Sequence, residues 1–345
     1  MKKLPLVFAL LCALGFATLL GAAEKKAAKA TQTLTAETDH KDALYKRGET
    51  VTFIIKLADK GQPLDGEVDW VLTKDGLPLD KSGKARLAGG EARVTGSLDE
   101  PGFLRIGVTY QKDKLKLTAT AGAGIDPTAI APSAPAPKDF AAFWEAKKRE
   151  VSAVPMNPKL TPVKSGADAV ESFDVQVSAV GAPVSGYFSR PKGAKPRSLP
   201  VILTVHGAGV RSSGLEGTVS WAKEGVLALD INAHGLPNGK EKAFYDALAA
   251  GDLKDYRTRG RESRETIYFL GMFQRVVRAI DFLTAQPEWD GRTVVVSGSS
   301  QGGFQAIAAA GIDPRVTFFT AGVPAGCDHT GSLAGRIAGW PKFIP

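Results

Sequence analysis

The 345-residue chain has room for about two domains, and 43% hydrophobic with 23% charged residues is globular composition, which excludes a disordered or fibrous protein. Two cysteines exclude a disulfide scaffold and a multi-cysteine metal cluster, while 38 Gly and 21 Pro point to many turns and strands rather than a helical bundle. The formal charge of +8 admits an anionic partner, but no dense Lys/Arg run with interleaved aromatics marks a nucleic-acid surface.

The chain opens with the basic Met1-Lys2-Lys3, an unbroken apolar run from Leu4 to Leu20, and the small residues Gly21-Ala22-Ala23. This pattern predicts a secretory signal over residues 1–23. The run falls short of the roughly 20 residues that span a bilayer, so no membrane attachment is expected after cleavage. Cleavage after Ala23 leaves Cys327 as the single cysteine and places the product in the periplasm or outside the cell.

Residues 24–125 predict a polar lead followed by an all-β domain. Glu49 to Leu57, Val68 to Leu72, Phe103 to Tyr110 and Lys114 to Thr118 are β-branched or alternating runs. Lys60-Gly61-Gln62-Pro63 and Lys74-Asp75-Gly76 are turn signals between them. Strands at this spacing predict an immunoglobulin-like β-sandwich. Asp39 and His40 read as a solvated surface pair, which leaves the domain as a spacer or binding module.

Residues 126–138 (DPTAIAPSAPAPK) predict a Pro/Ala linker. From Asp139 to Pro345 strands and helices alternate. Phe140 to Glu145 is a short amphipathic helix, and Val175–Val180 with Val184–Ser189 is a hairpin. Apolar strands are expected at Leu199–Val205, Val226–Ile231, Thr293–Val296 and Val316–Ala321. Helices are expected at Val219–Lys223, Glu265–Leu283 and Gly303–Gly311. Alternation with fully apolar strands predicts a mostly parallel sheet covered by helices on both faces.

Gly298-Ser299-Ser300-Gln301-Gly302 fits G-x-S-x-G between an apolar strand and an Ala-rich helix, the context of a nucleophile elbow. Ser300 is the candidate nucleophile, at the positive end of a helix, and the Gln301 amide is a candidate oxyanion donor. The second donor should come from the loop after the first central strand, where Val205-His206-Gly207-Ala208-Gly209 stands, and the Ala208 amide fits. His206 is expected to shape this loop rather than act as base. The same loop outlines a dinucleotide site, but Ser212 replaces the third glycine of G-x-G-x-x-G.

With these residues in place the sequence resembles the acetyl xylan esterase/cephalosporin C deacetylase family of α/β hydrolases. The resemblance rests on Phe143-Trp144, His206-Gly207, Gln286 to Gly291, Ser299 to Gly303, Asp313 to Val316, and Val323-Pro324 to Cys327-Asp328. It covers about residues 138–345 and implies an α/β-hydrolase domain that deacetylates O-acetylated xylan or xylo-oligosaccharides through an acetyl-enzyme, with no cofactor and no metal. It also raises homo-oligomer formation. Prolyl-oligopeptidase-like peptidases share the glycine pattern but carry Tyr where Gln301 stands. A non-catalytic binding protein on a hydrolase scaffold is the other alternative.

Two departures stand out. The family's Arg-Gly-Gln is replaced by Asn232-Ala233-His234, so His234 is a candidate for the cleft mouth alongside His206 and Gly207. Beyond Ser300 the only carboxylates are Asp313 and Asp328, and the only histidine is His329. Asp313 is expected far from Ser300. Asp328 and His329 are adjacent and stand in poorly for an acid and base, because neighbouring side chains diverge. The expectation is therefore that the triad acid and histidine are missing and that this domain lacks its C-terminal part.

Overall fold

The computed structural model describes residues 31–344, in two units, one ending at Ala131 and the other beginning at Pro132. The signal segment expected over residues 1–23 lies outside the described residues. Among the described residues no helix is long and apolar enough to cross a membrane.

The first unit is all β: β1 (Gln32–Thr38), β2 (Leu44–Tyr45), β3 (Val51–Asp59), β4 (Gln62–Pro63), β5 (Gly66–Lys74), β6 (Leu77–Leu87), β7 (Glu91–Gly96), β8 (Gly102–Lys112) and β9 (Leu115–Ile125). Strand β3 pairs with β1, β4 and β7 in one sheet, and the other sheet runs β2-β9-β8-β5-β6. Side chains alternate across a strand, so Val51, Phe53, Ile55 and Leu57 of β3 and Leu104, Ile106, Val108 and Tyr110 of β8 all enter one core. Each such buried aliphatic or aromatic side chain contributes about 1.5–3 kcal/mol. Asp39 and His40 are both exposed, as expected of a surface pair, yet each makes defined contacts. Asp39 accepts bonds from the Tyr45 hydroxyl at 2.5 Å and the Thr52 amide at 3.1 Å, and the His40 ring stacks on Tyr45 at 4.2 Å. They fasten β1 to β2 and β3.

The second unit contains α1 (Phe140–Ala153), β10 (Lys159–Val163), β11 (Val170–Val177), β12 (Val184–Pro191), β13 (Leu199–Val205), α2 (Leu215–Lys223), β14 (Leu227–Ile231), α3 (Lys242–Ala250), α4 (Tyr268–Thr284), β15 (Trp289–Ser299), α5 (Gln301–Ile312) and β16 (Phe318–Gly322). Its sheet order is β10-β11-β12-β14-β13-β15-β16. The sheet is mixed rather than mostly parallel. Strands β14, β13, β15 and β16 run parallel, while the pairings β10–β11, β11–β12 and β12–β14 are antiparallel. The short connection between β11 and β12 permits only a hairpin, because a parallel pair needs a crossover of a dozen residues.

Helices cover both faces, as alternation along β12 shows. Phe188 meets Phe282 of α4 with ring centroids 5.4 Å apart, whereas the next residue, Ser189, bonds Thr218 of α2 on the opposite face. The expectation of fully buried strands fails at β16. It pairs only with β15, at the end of the sheet, and Phe318 and Phe319 are 53% and 43% exposed.

From β13 the chain crosses through α2 to β14 on one side, then returns through α4 to β15 on the other. The carboxyl ends of β13 and β15 therefore diverge at a topological switch point, where open α/β sheets bind ligands.

Candidate active site

Strand β15 ends at Ser299 and α5 begins at Gln301, so a single residue makes the turn. That residue is Ser300, at φ 57°, ψ −120°, a conformation L-residues rarely adopt. Such strain costs about 1–3 kcal/mol and persists only where the surroundings impose it. Here the Ser300 amide donates to the Gly322 carbonyl at 2.8 Å, and its carbonyl accepts from Ala325 at 3.0 Å and Phe304 at 3.1 Å. The glycines are required by close backbone approach. A Cβ on Gly298 would lie 2.3 Å from the Gly302 carbonyl oxygen, and one on Gly302 would lie 2.1 Å from that of Val205.

The two predicted oxyanion segments meet because β13 and β15 are parallel neighbours with Val205 opposite Gly298. Loop 206–209 and Ser300 therefore leave the sheet side by side, and a Cβ on Gly207 would be 3.6 Å from the Ser300 Cβ. Ala208 follows Gly207 in that loop. The Gln301 amide opens α5, among the first four amides, which have no carbonyl partner within a helix.

His206 uses both ring nitrogens on backbone. Nε2 accepts from the Ala233 amide at 3.3 Å, so Nδ1 carries the proton and donates to the Gly207 carbonyl at 2.6 Å. Burial lowers its pKa to about 4, which keeps the ring neutral near pH 7.

His234 lies beneath the cleft rather than at its mouth, with 3% exposure. Its Nδ1 shares a 2.9 Å bond with the Tyr268 hydroxyl, and its ring packs edge-on against Tyr256 at 4.7 Å. Burial, then the neighbouring His206 and Arg275, lower its pKa to about 3. The correction has a physical cause: the Asn232 side-chain oxygen accepts from the amides of His234 and Leu236, which turns the loop inward after β14.

Sequence reasoning missed Tyr256. Its hydroxyl donates to Gln301 Oε1 at 2.8 Å and accepts from the Gly209 amide at 3.4 Å. It thus ties Gln301 to the end of the 206–209 loop. Arg275 was missed as well. It is buried at 4% exposure, donates to the Ala233 carbonyl at 2.6 Å, and burial lowers its pKa to about 10. No sequence motif marks either residue.

Asp328 and His329 do not form an acid–base pair. Arg336 clasps the Asp328 carboxylate at 2.6 Å and Ser133 donates to it at 2.7 Å, which holds its pKa below the usual carboxylate range. The His329 ring packs against Phe343 at 4.4 Å and Phe304 at 5.5 Å, with both nitrogens buried and unbonded. Asp313 is bound by Arg315, which also reaches Asp281 at 2.7 Å. Among the described residues no group of three or more His, Cys, Asp or Glu could hold a metal ion.

A family model described as acetyl xylan esterase matches residues 129–334. The chain belongs to the acetyl xylan esterase family. The acetyl esterase Axe7A of Xylanibacter ruminicola is 34% identical over 312 residues, covering 88% of this chain and 70% of that protein. That span is too long for the second unit alone, so the likeness extends into the all-β unit. An acetyl xylan esterase from a Paenibacillus species has 27% identity and a TM-score of 0.50, over 59% of this chain and 65% of that one. Acetyl xylan esterase 1 from a Thermoanaerobacterium species shares the fold, with 21% identity, a TM-score of 0.50, and coverage of 58% of this chain and 62% of its own. The chain thus spans less than two thirds of the length of either solved relative.

Proposed function

We propose that this chain is a secreted serine carboxylester hydrolase that removes acetyl groups from O-acetylated xylan or xylo-oligosaccharides. The strained backbone of Ser300 carries the reading. Nothing in simple packing calls for a serine at φ 57° between two glycines that cannot be replaced, whereas a nucleophile lifted clear of the sheet requires that turn. Ser300 Oγ attacks the acetyl carbonyl, and its proton passes to a general base that none of the described histidines supplies. The amides of Gln301 and Ala208 hold the oxyanion, the sugar hydroxyl leaves with a proton, and water cleaves the acetyl-enzyme. His206, His234 and His329 each make other contacts, so none of them is assigned as that base.

The Met1–Ala23 pattern supports secretion, and the two-sheet first unit is read as an immunoglobulin-like spacer or binding module. The test is hydrolysis of 4-nitrophenyl acetate and acetylated xylo-oligosaccharides by the protein. Ser300→Ala is expected to lower kcat by about 10³-fold or more. Turnover that survives this substitution overturns the assignment.

A further inference from the structure

A cavity of about 660 Å³ lies between the turns around residue 257 and the segment around residue 340. Its size is within the roughly 300–1,000 Å³ of small-molecule sites. Arg257, Arg261 and Lys342 line it against a single carboxylate, Asp255. None of the three cations is engaged in an ion pair among the described residues. Trp340 and Pro341 supply an apolar wall.

Both walls connect to the catalytic turn. Tyr256, between Asp255 and Arg257, bonds the Gln301 side chain at 2.8 Å. On the other side the Trp340 carbonyl accepts from Gly326, whose neighbour Ala325 donates to the Ser300 carbonyl at 3.0 Å. The two walls of the cavity therefore adjoin residues that hold the Ser300 turn in place.

We propose that this cavity is a subsite for a carboxylate-bearing sugar, a uronate substituent carried on the acetylated saccharide. The guanidinium groups suit the carboxylate because their planar donor fork matches its two oxygens. The indole suits the apolar C–H face of the pyranose ring, since aromatic side chains present large apolar surfaces with a polar edge. A neutral xylose chain would leave three cations unpaired in the cavity, so the arrangement discriminates by charge. That the ligand is a saccharide rests on the esterase reading; that it is anionic rests on the cavity alone.

The test is calorimetric titration of the full chain with a glucuronate-bearing xylo-oligosaccharide and with a neutral one of equal length, at low salt. Neither probe carries an acetyl ester, so binding is read without turnover. The acidic probe is expected to bind about tenfold tighter, which is about 1.4 kcal/mol. Arg257→Gln/Arg261→Gln should erase that preference while leaving the neutral probe's affinity and the melting temperature unchanged. Lys342→Gln should reduce the preference in part. Equal affinities for the two probes, or a preference that survives the double substitution, overturn the proposal. Displacement of the acidic probe by inorganic phosphate as readily as by free glucuronate also overturns it, since the cavity would then be a general anion patch. Turnover that survives Ser300→Ala would sink the esterase assignment without touching this charge discrimination, so the two failures are distinguishable.

Discussion

Replacing Tyr256 by Phe isolates the contact that ties the 206–209 loop to Gln301. The ring is 5% exposed and packs against His234, Tyr268 and Phe269, contacts that Phe retains. What is lost is the 2.8 Å bond to Gln301 Oε1. Gln301 is fully buried and its Nε2 already has no partner, so the substitution strands the whole side-chain amide. A buried polar atom left unpaired costs about 1–3 kcal/mol. The 3.4 Å contact from Gly209 adds little, since good N–H···O bonds lie near 2.7–3.2 Å. In a domain of about 150–250 residues each kcal/mol shifts Tm by about 2–4 °C, so Tyr256→Phe should lower Tm by about 2–12 °C. Adding Gln301→Leu should recover much of the loss, because removing both partners of a buried bond is nearly neutral. Thermal and urea unfolding of the two single variants and the double variant form a mutant cycle. A loss under about 0.5 kcal/mol for Tyr256→Phe, or simple additivity in the double variant, refutes the tether.

Gly302→Ala should destabilise by about 4 kcal/mol or more, because its Cβ meets the Val205 carbonyl at 2.1 Å and both sides are backbone. Gly311→Ala, in the same helix with nothing within 4 Å, should stabilise by about 0.5–1 kcal/mol, and urea midpoints compare the two. Ser300→Gly should be more stable than Ser300→Ala by about 1–3 kcal/mol, as glycine alone relieves the positive φ; equal stabilities would show that no strain is stored there. In acid, His206 and His234 titrate in the unfolded chain near pH 6.5 but in the folded chain only near 4 and 3, so the stability they contribute above pH 6.5 is lost as pH falls through that window. Asp230, its carboxyl pKa raised to about 6 by burial, has the opposite sign: it favours the fold at low pH and loses that contribution as pH rises through 6. Asp230→Asn should therefore steepen the loss of stability between pH 6 and 4 in urea titrations, and an unchanged slope would remove Asp230 from the balance.

The helix and strand periods of the second unit were legible where one face alone is buried or the run is wholly apolar. The helix expected over Glu265–Leu283 forms at Tyr268–Thr284, and the strand expected over Leu199–Val205 forms over those residues. Strand β10 was not legible, because Pro162 interrupts a five-residue stretch with no buried residue. Helix α3 went unread because only Tyr245 in it is buried, so its apolar stripe is thin. Of the antiparallel half, the β11–β12 hairpin was legible from its short turn, whereas the β12–β14 pairing was not, because apolar content does not report strand direction. At β16 the apolar run is real, but Phe318 and Phe319 lie at the sheet's end, where no further described strand covers them.

The site divides along the same line. The elbow is written in consecutive residues, because Gly298, Ser300 and Gly302 answer backbone demands that act within one turn. Its supports are written far apart: Tyr256 reaches Gln301, Tyr268 reaches His234 and Arg275 reaches Ala233, each from a distant part of the chain. No local pattern can announce such pairs, yet they decide whether the turn holds. Ser300 is locked from one side by backbone bonds to Gly322 and Ala325, and the helix that follows it is locked from the other by Tyr256. A strained turn gripped from one side only could relax by rotating Gln301 and swinging its amide away from the oxyanion position. Gripped from both, it can relax only by breaking a buried hydrogen bond or a sheet bond. The strain at Ser300 and the buried tyrosine at residue 256 are therefore parts of one device, which on the proposed function lifts the hydroxyl and keeps the Gln301 amide aimed at the same point.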